Sequence, residues 1–589
     1  MNNSLQYNQE CKKIIEEDKI INYWRSLFPE KKRQYKIEDL LGKISGKTLD
    51  YFLQNYNKEE EILDEIDKTF SDLNESCYTK ILDEILLKQT KKNMWSFFFK
   101  PVLLLYMDRL MKLAQSSDIL EDGDLFLENM IDNILDKLTA LSYRTIIVET
   151  NIAKLDKRLK GETSLERGKY YTHNLLRDMD YLKEVYFVYP ELYKVLKRTI
   201  LYNVCYFEEI ISNIKSNLNE LEKTFKDGKS LGKIQSIMLG NGDTHNNGKT
   251  VATIKFSRKV LMYKPRSFSM EKAYDSFIKW VNNRIPGFSP LNTCKTYGIK
   301  AAGWMEFIEH SECKAMEEVN EFYLKMGELL CLFYTLNSKD CHCENIIANG
   351  KYPILIDLET VLHTDECHKN EEIDSVEAYI DNYIQNSVNS VLILPALLQN
   401  FNTNEVMEIG AIGSGKAKKS PFKTQKITNF DSDNISVENV YKEISDAGNY
   451  PLYDGKKVGG NGYIGYVRQG FVSTYKWILE NKDEYIDKIK ELFNNVECRV
   501  IYKATNDYNQ LISTSYHPDL LHNGMDRIVY FHRIGILIKD IDNFDEQKLY
   551  QTEIEAMLNG DVPSFIINAD SHKAINHKNE VVYDKYKKV

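Results

Sequence analysis

Asp340-Cys-His342-Cys-Glu-Asn345, followed twelve residues later by Asp357-Leu-Glu359, decides how this chain is read. It sets acidic, imidazole and amide groups at a spacing suited to phosphoryl transfer. An aspartate can orient an attacking hydroxyl, while an asparagine five residues on and a further aspartate offer hard oxygens to Mg²⁺. Between them, Ile346 to Ala348 and Tyr352 to Ile356 read as short strands around Asn349-Gly350, a strong hairpin signal. The hairpin brings Asn345 and Asp357 to one end. That is the catalytic-loop and metal-loop arrangement of kinase-like folds.

Upstream, the other parts follow in kinase order. Glu317 to Asn337 is an amphipathic helix, with Val319, Phe322, Met326, Leu329, Leu330 and Phe333 at spacings of three and four, and it delivers the chain to Asp340. Gly240 to Gly248 is a polar, glycine-rich turn that contains Gly242, Asp243 and His245. Thr250 to Phe256 and Val260 to Lys264 read as strands, and a glycine loop beside a strand lysine can cover nucleotide phosphates. Alone, each of these is an ordinary turn, cap or solvated lysine. Joint order and spacing reverse that reading. His-Arg-Asp and Asp-Phe-Gly are absent, so the pattern is nearer the lipid-kinase style than that of protein kinases.

The chain has 589 residues, a formal charge of −10 and 43% hydrophobic residues, enough for several cores. The mildly acidic balance argues against general nucleic-acid binding. The N-terminus has no signal-peptide layout, and the most apolar run, Met94 to Met107, is broken by Lys100-Pro101 and too short to span a bilayer. A cytoplasmic protein without membrane insertion is expected. Ten cysteines lack framework spacing. Cys341, Cys343 and Cys367-His368 are conceivable zinc ligands, but reduced thiols are the preferred reading.

Four regions are expected. Residues 1–230 form a mostly helical region, with helices over Glu59 to Leu73, Asp124 to Leu141 and Tyr181 to Lys223, the last broken at Pro190. Residues 231–370 form the nucleotide-binding and catalytic core. Residues 371–480 hold an activation-segment-like loop and a helical insertion. Residues 481–589 complete the chain. Gly413-Ser-Gly-Lys416 lacks the spacing of a phosphate loop and reads as a plain loop.

Several longer motifs now bear on identity. Gly242-Asp-Thr-His245, Tyr263-Lys-Pro-Arg266, Tyr297-Gly298, Gly303-Trp-Met-Glu-Phe307, the two catalytic stretches, Arg499-Val-Ile-Tyr-Lys-Ala-Thr505 and Ser515-Tyr-His-Pro518 resemble the dehydratase domain of class II lanthipeptide synthetases, the LanM enzymes. The likeness runs from roughly residue 90 onward. It implies an α+β, lipid-kinase-like bilobal fold with a large helical N-terminal region and added helices. It also implies two reactions at one site: phosphorylation of Ser or Thr in a precursor peptide by ATP, then phosphate elimination to dehydroalanine or dehydrobutyrine.

By that resemblance Lys264 contacts nucleotide phosphates, Asp340 orients or deprotonates the hydroxyl, and Asn345 and Asp357 hold Mg²⁺. Gly242 and Gly248 cover the phosphates, and Glu306 and Phe307 lie where the backbone meets adenine. His342, Glu359, Asp243 and His245 fall on active-site positions. Arg499 and Thr505 match the elimination pair. Lys503 stands where the family often carries a second arginine, and keeps its charge without the bidentate fork. Trp-Cys and Cys-His-Gly motifs of a zinc cyclase are not found. The chain itself is therefore expected not to close thioether rings, and a separate cyclase becomes a candidate partner. The competing readings are a kinase that stops at phosphorylation and a kinase-derived peptide-binding scaffold.

Overall fold

The computed structural model describes residues 17–29, 35–56, 60–73, 76–363, 376–400, 403–414, 418–444, 447–538, 541 and 546–584. Cys367, His368 and Lys416 lie outside the described residues. The architecture is α+β, with helices and antiparallel sheets grouped in separate stretches of the chain.

Two long helices carry the first half. Helix α1 spans Gly123–Leu155 and starts at Asp122, whose carboxylate accepts the Leu125 N–H at 3.0 Å. It runs well past the Leu141 expected from periodicity. Buried Ser142 and Thr150 return their hydroxyls to the carbonyls four residues back, so the helix continues where its apolar pattern falters. Helix α2 spans Pro190–Lys226. Pro190 opens it rather than kinking a longer one, because a missing N–H costs nothing in a first turn.

These helices cover an antiparallel sheet of β1 (Ile234–His245), β2 (Lys249–Phe256), β3 (Val260–Lys264), β4 (Thr296–Ile299) and β5 (Ala302–Glu306), in the order β1-β2-β3-β5-β4. Ala252, Ile254 and Phe256 alternate into the helical core. Strand β1 is an edge, and α1 closes it with side chains: Asn129 Oδ1 accepts from Ile237 N at 3.1 Å and Asn133 Oδ1 from Leu239 N at 2.8 Å. The glycine-rich stretch is mostly strand, since β1 continues through a shifted register to His245 and leaves a turn of only three residues before Lys249.

Helix α3 (Ser269–Arg284) and helix α4 (Met316–Thr335) belong to a second core. The hairpin of β6 (Ile346–Asn349) and β7 (Tyr352–Leu355) turns at Gly350-Lys351, one residue later than expected, because Asn349 still pairs with Tyr352. Residues around the expected loop instead build hairpins, Leu397–Asn400 with Glu405–Glu408 and Lys418–Thr428 with Ser436–Ile444. Downstream, β8 (Glu497–Val500) pairs with β9 (Phe565–Asn568), and helix α5 (Thr505–Thr514) lies between them in sequence. A third core joins Trp24, Leu40, Leu41 and Phe52 to Tyr508, Val529, Tyr530 and Met557. Among the described residues, no helix is long and apolar enough to cross a membrane.

Candidate active site

A cavity of about 600 Å³ opens where β1–β3, the segment after α4, the turn after β7 and the start of α5 meet. Its volume is in the range of small-molecule sites. Gly242, Asp243, His245, Lys264, Asp340, His342, Asn345, Asp357, Glu359, Arg499 and Thr505 all line it. Gly248, Glu306 and Phe307 are not among the lining residues. The Gly248 N–H is bound to Asp561 at 2.9 Å, Glu306 Oε1 accepts the Lys295 N–H at 2.7 Å, and Phe307 is exposed.

The hairpin does what its sequence indicated. Ile356 N donates to Asn345 O at 2.9 Å, so the two ends carrying Asn345 and Asp357 are tied together. Lys264 Nζ donates to Ile356 O at 2.8 Å and lies 3.8 Å from Asp357 Oδ1. The same Oδ1 accepts from Glu359 N at 3.3 Å and lies 3.5 Å from Arg266 Nη2. Asp357 Oδ2 takes no part in these contacts. Asn345 donates its amide to Asp340 O at 2.7 Å, which leaves its side-chain oxygen free of that bond. Two hard oxygens on the cavity wall, beside a lysine and an arginine, form a donor set that fits Mg²⁺ with a polyphosphate.

Asp340 sits in the left-handed region at φ 61, which an aspartate adopts more readily than most residues. Its Oδ1 is 3.4 Å from His342 Nε2. His342 Nδ1 accepts the Glu344 N–H at 3.2 Å, so the ring proton is on Nε2, facing the carboxylate. Burial pushes the Asp340 carboxyl above its ordinary range, against the pull of His342, and Asp357 adds to the rise. Burial opposes a charged His342, but Cys343 and Asp340 outweigh it and raise the imidazole.

Glu359, bonded through its N–H to Asp357, is gripped by two arginines. Its Oε2 is 3.0 Å from Arg499 Nη1, and its carbonyl accepts the Arg499 N–H at 3.1 Å. Its Oε1 is 2.8 Å from Arg266 Nε, a close ion pair rather than an aligned hydrogen bond. Burial works against the Glu359 carboxylate, yet Arg266, Arg499, Lys264 and His245 hold its pKa well below the ordinary value. Arg266 also takes Glu271 of α3 through both carboxylate oxygens, at 2.6 and 3.0 Å. Sequence reasoning did not place Arg266 in the site, although it belongs to the motif Tyr263-Lys-Pro-Arg266. The available signal was its place two residues beyond Lys264.

His245 Nδ1 is 2.7 Å from Val562 O. A carbonyl only accepts, so Nδ1 carries the proton and Nε2 keeps a lone pair. Burial lowers the His245 pKa, and Arg499 lowers it further. Asp243 Oδ1 accepts from Asn509 of α5 at 3.1 Å. Thr505 begins α5, so the N-terminal end of a ten-residue helix borders the cavity, a setting that favours anions. Lys503 does not line the cavity. It pairs with fully buried Glu553 at 2.6 and 2.8 Å.

Residues 189–568, more than half of the chain, match the family described as "Domain of unknown function (DUF4135)". The chain belongs to the DUF4135 family. This DUF4135 protein is also 25% identical, over 475 residues, to the lacticin 481/lactococcin biosynthesis protein LcnDR2 of Lactococcus lactis subsp. lactis. That alignment covers 77% of this chain and 49% of the relative, so the chain spans about half the length of the curated relative it matches. The likeness to LanM proteins, read first from short motifs, therefore holds across most of the chain.

Proposed function

We propose that this protein is an ATP-dependent dehydratase of a ribosomal precursor peptide, built on a lipid-kinase-like bilobal fold. One observation carries the reading: a single cavity holds two chemically distinct sets of groups, joined by Glu359. Kinship to a lantibiotic-biosynthesis protein supports a peptide substrate.

In the first half-reaction the raised carboxyl of Asp340 takes the proton of a Ser or Thr hydroxyl. The hydroxyl oxygen bonds to the γ-phosphorus of ATP, and the bond to ADP breaks. Lys264 steadies the phosphates, while Arg266, its guanidinium taken up by Glu271, Glu359 and Asp357, holds those carboxylates in place. Asn345 and Asp357 would hold Mg²⁺, which neutralises charge on the phosphates when bound. His342 keeps the Asp340 carboxylate oriented through its Nε2–H.

In the second half-reaction a Cα proton leaves, the Cβ–O bond breaks and phosphate departs, leaving a Cα=Cβ double bond. Arg499 suits the departing phosphate, because its guanidinium can give two parallel hydrogen bonds, and the start of α5 adds N–H groups. His245 supplies the base, since its Nε2 is unprotonated and burial keeps it neutral.

Incubation of a Ser/Thr-rich precursor peptide with the protein, ATP and Mg²⁺, followed by intact-mass spectrometry, tests the proposal. Successive losses of about 18 Da support it, since each is one water removed by phosphorylation and elimination. Stable gains of about 80 Da, one phosphoryl group each, would instead indicate a kinase without the second step.

A further inference from the structure

The turn Gly560-Asp561-Val562 grips the glycine-rich segment along its backbone. Thr244 Oγ1 donates to Gly560 O at 2.8 Å, Val562 N donates to Thr244 O at 2.8 Å, and His245 Nδ1 donates to Val562 O at 2.7 Å. The Asp561 carboxylate accepts Asn247 N through Oδ2 at 2.7 Å and Gly248 N through Oδ1 at 2.9 Å. Asn246, Asn247 and Gly248 have φ of 48, 70 and 74. Successive N–H groups exposed by a turn can form an anion-binding nest. Here a carboxylate of the chain itself takes two of those groups.

The gripping turn is braced from behind. Asp561 is 2% exposed. Gly560 has φ 82, and a Cβ there would stand 2.7 Å from Tyr516 Oη. Leu558 O accepts from Arg198 of α2 and, at 3.0 Å, from Arg527 Nη1. Arg527 is fully buried and pairs with Glu191 of α2 at 3.2 Å. From the other side Lys137 of α1 reaches Gly248 O at 3.4 Å. Burial pushes the Asp561 carboxyl up to about 6, while the two backbone N–H groups pull it down.

We infer that Asp561 is a positioning residue: by holding residues 247 and 248 it fixes where Asp243 and His245 stand opposite Arg499, and so sets the rate of elimination relative to phosphorylation. This rests on the dehydratase reading. It also changes what a glycine loop does here. With the N–H groups of residues 247 and 248 held by the chain, that turn serves the elimination step, and the nucleotide phosphates fall to Lys264.

Two readouts on the full chain test the inference. Amide hydrogen exchange comes first: Asn247 and Gly248 should be protected in the wild type and released in Asp561→Asn, with α1 and α2 unchanged. Intact-mass time courses on a Ser/Thr-rich peptide come second. Asp561→Asn should raise the ratio of phosphorylated to dehydrated peptide by about tenfold or more, with the rate of phosphorylation held within about threefold. Thr244→Val, which removes one hydrogen bond at constant shape, should move the ratio the same way by a smaller amount. It serves as the second variant if Asp561→Asn fails to fold. Rapid exchange of residues 247 and 248 in the wild type overturns the inference. So does an unchanged product ratio in a folded variant whose two amides have been released. If the wild type leaves the peptide unmodified, the dehydratase reading falls and the proposed control of elimination falls with it. Protected amides at 247 and 248 would in that case still report the grip itself.

Discussion

Replacing Arg499 separates the two half-reactions and puts a number on the second. The Arg499 backbone is held independently of its side chain, by pairing with Ile566 and by the bond from its N–H to Glu359 O at 3.1 Å. Truncation therefore removes the guanidinium without freeing the strand. Each charge-assisted hydrogen bond to phosphate is worth about 1.5–3 kcal/mol. At about 1.4 kcal/mol per decade, losing one slows elimination by about 10- to 150-fold. Arg499→Lys keeps a point charge and one such bond, so that range applies to it. Arg499→Ala loses both, for about 10² to 10⁴-fold. Phosphorylation should proceed at the wild-type rate in both variants, because Lys264, Asp340, Asn345 and Asp357 are untouched. Glu359 keeps its contact with Arg266 at 2.8 Å, so the wall stays paired. Acid-quenched time points read by intact mass would show phosphopeptide rising and persisting. If Arg499→Ala yields dehydrated peptide with the wild-type time course, the assignment of the phosphate to this arginine is wrong.

Other expectations concern each half and the scaffold. Asp340→Asn should give neither phosphorylated nor dehydrated peptide, and dehydration by this variant would remove Asp340 from the proton-transfer role. Lys503→Met breaks a pair with the fully buried Glu553 and should cost about 3–5 kcal/mol in urea unfolding, with the product ratio unaltered. A changed ratio would return Lys503 to the active site. His532 is buried against Phe52, and burial pushes its pKa down to about 4 from an ordinary 6.5. The unfolded chain binds this proton first as pH falls. Its stabilising contribution is thus complete above pH 6.5 and is lost progressively toward pH 4, up to about 3 kcal/mol. His532→Phe should flatten that acid limb of a melting-temperature profile, and an unchanged slope between pH 4 and 6.5 would contradict the assignment.

The site was legible in the sequence where chemistry is local. Asn345 and Asp357 lie on either side of a hairpin, so a turn dipeptide and two short strands suffice to bring them together. Arg499 and Thr505 were assigned to the cavity only through resemblance, because no local pattern around them points there. Asp561 gave no signal. Its partners Asn247 and Gly248 lie 314 and 313 residues away, and a lone aspartate in a turn reads as a turn former. The fold followed the same rule. Helix α4 showed its apolar stripe plainly, whereas α1 was read short because buried hydroxyls interrupt its pattern. Residues 402–440, polar and rich in Gly, Lys, Ser and Asn, read as loop although strands run through them, because a strand without a buried face shows no alternation.

The third core has a consequence for synthesis. The Trp24 ring N–H finds its partner in Asp526, 502 residues later, at 2.7 Å. At about 5–20 residues per second, a ribosome needs roughly 25–100 s to cover that gap. Through that interval Trp24, Leu40, Leu41 and Phe52 have only one another, their near neighbours and Val195 of α2 to pack against, since most of their core has not been made. The opening helices wait with much of their apolar face uncovered while the two long helices and the strands that line the cavity are translated. Chaperone demand should therefore be highest late in translation, and a chain halted before residue 508 should hold its first helices unburied.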